Sequence, residues 1–122
     1  MEANELRIGN YVYDGEKELC KIWAVHKDRL TVEIPNDNTT FLGRYKIEYA
    51  KPIPLTKDWL LKFGFEAGFN GEYEILPFLY IWKPSPSTKS FSVSPSTLEI
   101  KYVHQLQNLY FALTGEELKI KE

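Results

Sequence analysis

The sequence predicts an α+β fold: a small curled antiparallel β lobe, a short linking helix, and a β-meander packed on a C-terminal helix. Three observations predict it. Between residues 6 and 49, apolar and polar side chains alternate within short runs separated by turn formers, the pattern of half-buried strands. In YVHQLQNLYFAL, at about 100° per residue, Tyr102, Val103, Leu106, Leu109, Tyr110 and Leu113 share roughly a third of a helix circumference. Between these regions, KPIPL at Lys51 to Leu55 holds the chain extended, and a second helical pattern starts at Thr56. The chain is expected to form a single compact domain over residues 1–122, with sub-lobes at 1–50 and 56–122.

The first strand is expected from Leu6 to Tyr13, bent at Gly9-Asn10. Asp14-Gly15 carries a type I′ hairpin signal. A second strand from Leu19 to His26 puts Cys20, Ile22, Ala24 and His26 on one face, and Leu19, Lys21, Trp23 and Val25 on the other. Lys27-Asp28-Arg29 reads as a tight turn. Leu30, Val32 and Ile34 then alternate with Thr31 and Glu33. Pro35 to Asn38 is a loop of turn formers. Phe41 to Tyr49 is a further strand, with Tyr45, Ile47 and Tyr49 on one face. Closing these strands into a small barrel would hide their edges. The opening LRIGNYV is similar to the first strand of SH3-like barrels.

Thr56 suits an N-cap, with Leu55 and Leu60 forming a hydrophobic staple. The short helix from Lys57 to Phe63 stops at Gly64, and Phe65 folds back on its last turn. Phe69-Asn70-Gly71 is a turn. Strands follow at Glu72 to Leu76 and Phe78 to Lys83, the second apolar on both faces and therefore central. Ser85-Pro86-Ser87-Thr88 and Ser94-Pro95-Ser96-Thr97 read as turns bracketing a strand at Lys89 to Val93. Gly115 supplies a left-handed cap to the long helix. Leu118 and Ile120 predict a short final strand.

Composition narrows the function classes. The net charge is −2, with nine acids and eight bases in residues 1–55 and eight acids and seven bases in residues 56–122. No basic lobe exists to neutralise a polyanion, although a local stripe is compatible with this balance. Cys20 is the only cysteine, which excludes an intrachain disulfide and a cysteine-rich zinc site. There is no phosphate-binding glycine loop, no G-x-S-x-G and no paired-histidine motif. MEANELRIGN lacks the basic start and apolar run of a signal peptide, and no apolar run approaches the roughly 18 residues of a membrane span. These features predict a soluble cytoplasmic protein without metal, cofactor or membrane partner, and not an enzyme. Cys20 is expected as a small buried hydrophobe, His26 as a solvent-facing residue, and Glu72 and Glu74 as a solvated strand face.

PIPLTKDWLLKFGFE at Pro52 to Glu66, YVHQLQNLYFALTGEEL at Tyr102 to Leu118, and ANELRIGNYV at Ala3 to Val12 together resemble a family of short proteins from Bacteroides-type bacteria. Members are found among prophage and mobile-element genes. The resemblance implies a bacterial or phage setting. The family has no established activity, so no residue takes a role from it.

Two surfaces are candidates for contact. On the long helix, His104, Gln107 and Phe111 lie away from the apolar arc. A phenyl ring on a polar face marks a contact site unless the N-terminal lobe or the C-terminal strand covers it. This surface fits a small non-enzymatic interaction module, an adaptor or inhibitor, that binds an unidentified protein partner or a second copy. On the β lobe, Tyr11, Tyr13, Trp23, Tyr45 and Tyr49 alternate with Arg7, Lys21, Lys27, Arg44 and Lys46. The alternative function is a nucleic-acid-binding accessory protein using Arg7, Tyr11, Tyr13, Lys21, Trp23, Arg44 and Lys46, unless those rings pack inward or across strands.

Overall fold

The computed structural model describes residues 3–15, 18–36, 39–68, 72–76, 79–83, 90–94 and 99–121. The expected turn at Phe69-Asn70-Gly71 and the proline turns of the two Ser-Pro repeats lie outside the described residues. The fold is α+β. Strands β1 (Tyr11–Tyr13), β2 (Leu19–Val25), β3 (Arg29–Asn36) and β4 (Thr39–Lys46) form an antiparallel sheet in sequence order. Helix α1 spans Lys57–Lys62. Strands β5 (Glu66–Ala67), β6 (Tyr73–Leu76), β7 (Leu79–Trp82), β8 (Phe91–Ser94) and β9 (Glu99–Ile100) form a second antiparallel sheet, also in sequence order. Helix α2 spans Val103–Thr114.

The chain divides into two compact units, residues 1–53 with 103–117, and residues 54–102 with 118–122. The sequence division placed the long helix with the meander. Its contacts instead place α2 with the N-terminal strands, so the first unit is assembled from two distant stretches of chain.

In the first unit, register sorts side chains by face. Val12 lies opposite Cys20, Ile22 opposite Val32, and Val25 opposite Leu30. These residues form the core with Leu6, Ile47 and Ala50. The pairing slips between Ile22 and Ala24, leaving Trp23 as the extra residue of a bulge. One extra residue reverses the facing of everything beyond it. Val25 therefore packs on the core instead of sharing the face of Lys21 and Trp23, as plain alternation requires.

The turns differ from their sequence signals. The Asp14 carboxylate accepts from the Glu18 N–H at 2.9 Å, and the Asp14 N–H donates to the Glu18 carbonyl at 3.0 Å. The hairpin is thus a wider loop closed by an aspartate side chain, and Gly15 is not among the described glycines with positive φ. The expected strand through Tyr49 stops at Lys46, where Ile47–Tyr49 coil into a 3-10 turn that buries Ile47 and turns Tyr49 outward. The chain then returns to β1. Tyr13 N–H donates to the Lys51 carbonyl at 2.9 Å, and Lys51 N–H donates to the Tyr13 carbonyl at 2.8 Å.

The second unit follows its sequence signals closely. Thr56 Oγ1 accepts from the Trp59 N–H at 3.4 Å, which caps α1. Leu55 and Leu60, the staple pair, are both buried. Gly64 has φ +93°, and the N–H of Phe65 reaches back to the Leu60 carbonyl at 3.0 Å, closing the helix end. A Cβ on Gly64 would lie 3.0 Å from Cγ of Lys121, so both backbone and space favour glycine there. β7 is central as expected, and Ile81, Val93, Phe91 and Ile100 are buried on one face of the sheet. Residues 118–121 form no strand. The Lys121 N–H instead donates to the Lys62 carbonyl at 2.7 Å, satisfying a carbonyl that the end of α1 leaves open, while Leu118 is buried.

Candidate functional site

Helix α2 buries Val103, His104, Leu106, Gln107 and Tyr110. That face is turned by roughly 80° from the apolar arc, taking about 100° per residue. Leu109 is half-buried and Leu113 is exposed. The turn has a polar cause. Gln107 is 0% exposed because its amide completes the backbone bonding of the N-terminal segment. Its Oε1 accepts from the Tyr11 N–H at 2.8 Å, and its Nε2 donates to the Gly9 carbonyl at 3.0 Å. A residue of a parallel strand bridges its neighbour in the same way, so the side chain stands in for a peptide unit along β1.

A network surrounds this clasp. Residues 7–10 form a turn in which the Asn10 N–H donates to the Arg7 carbonyl at 3.1 Å and Gly9 has φ +97°. The Arg7 N–H donates to Asn10 Oδ1 at 2.7 Å. Asn10 Nδ2 donates to Asn108 Oδ1 at 3.0 Å, and Asn108 Nδ2 donates to the Glu5 carbonyl at 2.9 Å. The Arg7 guanidinium pairs with Glu117 and lies 3.9 Å from the centre of the Phe111 ring. A Cβ on Gly9 would come within 3.2 Å of Glu117 Oε2.

This geometry places the helix-face candidates. His104 and Gln107 are buried, and Phe111, 38% exposed, carries Arg7 across its ring. The phenyl group is a platform for a cation of the same unit, while the residue itself stays exposed. Burial lowers the pKa of His104 from 6.5, opposed by the Glu5 carboxylate, so the imidazole is neutral at neutral pH.

The β-lobe candidates separate into two sets. Arg7 is engaged with Glu117 and Asn108, Tyr11 is buried, and Tyr13 and Lys21 are half-buried, with Lys21 opposite Glu33. Trp23 is 56% exposed on its bulge, and Arg44 and Lys46 are exposed. Arg44, Lys46, Arg29 and Tyr49 line an open depression of about 270 Å³, and Tyr49 is 54% exposed. Register explains the gathering: Arg29 lies opposite Lys46, and Arg44 lies opposite Thr31, two residues further along the same face. Arg29 is absent from the sequence-based contact set because it reads as a turn residue. The signal was available: with Leu30 and Val32 facing inward, Arg29 must face outward.

Cys20 is buried, its Sγ donating to the Glu18 carbonyl at 3.5 Å. Burial pushes its thiol pKa up from 9.0 to about 11, helped by the charges of Asp14 and Glu18. Such a thiol is a poor nucleophile. In the native protein at pH 8, Ellman's reagent is expected to leave Cys20 unlabelled, with full reaction on addition of denaturant. The raised pKa also means that the contribution of Cys20 to stability holds below pH 9.0 and is lost as pH rises toward about 11. His26 is exposed, and no group of three or more His, Cys, Asp or Glu among the described residues could hold a metal ion. No helix among the described residues is long and apolar enough to cross a membrane.

Comparison with protein-family models, with curated proteins and with solved structures finds no match for this chain. The functional reading therefore rests on the residues themselves.

Proposed function

We propose that this chain is a small non-enzymatic interaction module, an adaptor or inhibitor of phage or mobile-element origin. It acts in the cytoplasm by occupying a partner through the outer face of the sheet β1–β4. One observation carries the reading: Tyr49 stands exposed beside Arg29, Arg44 and Lys46, and a second large ring, Trp23, is exposed on the bulge of β2 in the same sheet. Large rings on a solvated face retain an unfavourable contact with water that a partner relieves. The lone thiol, Cys20, and one of the two imidazoles, His104, are withdrawn into the interior, and the exposed His26 belongs to no group of three or more His, Cys, Asp or Glu among the described residues that could hold a metal ion, which favours binding over turnover.

An SH3-like small-barrel form of the first unit belongs to this proposal. Four antiparallel strands in sequence order, a 3-10 turn, and the return of Lys51 to pair with Tyr13 support it. The origin rests on the resemblance of the segments at Ala3, Pro52 and Tyr102.

The test is capture from an extract of the encoding organism by the immobilised chain and by a Trp23→Ala/Tyr49→Ala variant. Both substituted residues are largely exposed, so circular dichroism is expected to show an unchanged fold. A partner held by the parent chain and released by the variant supports the outer face. Equal capture by both removes it.

A further inference from the structure

We infer that the depression formed by Arg29, Arg44, Lys46 and Tyr49 binds the phosphate backbone of single-stranded nucleic acid, with Tyr49 as a stacking platform for an unpaired base. The inference rests on the outer face being the contact surface and names its chemistry.

The arrangement is costly without a ligand. Arg29 and Lys46 face each other across β3 and β4, and Arg44 is next on the same face. Like charges directly opposite each other destabilise a strand pair. Among the described residues, neither Arg29 nor Arg44 forms an ion pair. Glu48 lies 4.0 Å from Lys46, with both side chains more than half exposed at 58% and 68%. Such a pair neutralises little in water. Glu33, the acid on the same face of β3, lies opposite Lys21. The depression therefore concentrates positive charge on a chain that is slightly acidic overall.

The ligand class follows from three features. Two of the three cations are guanidinium groups, whose planar forks match phosphate oxygens in pairs. The site is open and, at about 270 Å³, lies just below the range of roughly 300–1,000 Å³ typical of small-ligand clefts. It suits a short length of an extended strand better than an enclosed cofactor. An exposed tyrosine at its wall offers a flat surface to a base. In a duplex both faces of each base are already stacked, so only an unpaired strand gains from that ring. An acidic peptide could satisfy the cations but leaves Tyr49 without a stacking partner.

The experiment is fluorescence anisotropy of the intact chain with a labelled oligothymidylate of roughly 12 nucleotides, within the site sizes of about 4–16 known for small β folds. Salt is varied upward from low ionic strength. Three neutralised phosphates predict a slope of log K against log salt of about −2, and Arg44→Gln is expected to reduce its magnitude by about 0.7. Tyr49→Leu is expected to weaken binding by about 5- to 100-fold with the slope unchanged. Lys119→Gln, an exposed change in the other unit, is expected to have no effect.

Absence of binding at low salt overturns the inference. So does binding indifferent to Arg44 and Tyr49, binding equally tight to the matching duplex, or equal competition by polyglutamate at the same charge concentration. If the oligonucleotide fails while the Trp23→Ala/Tyr49→Ala variant still loses its captured partner, the interaction-module reading stands and only the ligand class falls. If both experiments fail, the outer face falls with it.

Discussion

Replacing Gln107 with alanine is expected to destabilise the first unit by about 2–6 kcal/mol in urea unfolding. The substitution removes one amide and strands two backbone groups, the Tyr11 N–H and the Gly9 carbonyl. Each buried polar group left without a partner costs about 1–3 kcal/mol, more than the net worth of an ordinary hydrogen bond. Asn10 is affected too, because its Nδ2 lies 3.5 Å from the same oxygen. Gln107→Glu separates hydrogen bonding from volume. A carboxylate still accepts from Tyr11 but presents an oxygen to the Gly9 carbonyl. Burial and that opposed dipole raise the folded-state pKa of the new acid above its unfolded value of about 4.3. A raised carboxyl pKa makes the folded state hold its proton longer, so the variant is least impaired in acid and loses stability as pH rises. A glutamate variant as stable as the parent at pH 8 would contradict the clasp.

Phe63→Ala is expected to cost about 3–5 kcal/mol, through the lost transfer energy of a ring and the cavity left behind. Phe63 is fully buried at the C-terminal end of α1, with its ring centre 5.5 Å from that of Trp59 and the planes tilted by 45°. Offset aromatic pairs of this kind add to simple burial. Leu61→Ala, on the exposed side of the same short helix, should change stability by no more than about 0.5 kcal/mol. Thermal unfolding of the two variants side by side is the measurement. Similar losses in both would mean that the helix is not anchored by its Trp59–Phe63 edge.

What the sequence revealed depended on whether local chemistry or tertiary bonding decided each position. The α1 region was legible almost residue by residue: Thr56 as cap, Leu55 and Leu60 as staple, Gly64 and Phe65 as stop. Each of those roles is set by neighbours within one helical turn. The alternation in β3 was equally plain, and from it Leu30 and Val32 sit in the core as read. The bulge at Trp23 was invisible, because one unpaired residue leaves no mark on composition, yet it reverses the facing of Val25. Gln107 was misplaced for a related reason. Periodicity weighs apolar area and places a glutamine toward water, whereas this one is drawn inward by a donor and an acceptor near residue 10. Of the outer-face depression, Arg44 and Lys46 were legible by alternation, whereas alternation set Tyr49 on the opposite face with Ile47, and only the 3-10 turn at Ile47–Tyr49 brings it to the cations. Arg29 was hidden by the turn signal that precedes it.

The clasp has a consequence for how the molecule is made. Asn10 and Gln107 are separated by 97 positions. At translation rates of about 5–20 residues per second, the helix leaves the ribosome roughly 5–20 s after the segment it must embrace. Until then, the amide of Tyr11 and the carbonyl of Gly9 are open to any passing strand, including those of other nascent chains. A holding chaperone, or rapid release of the finished polypeptide, would shorten that exposure.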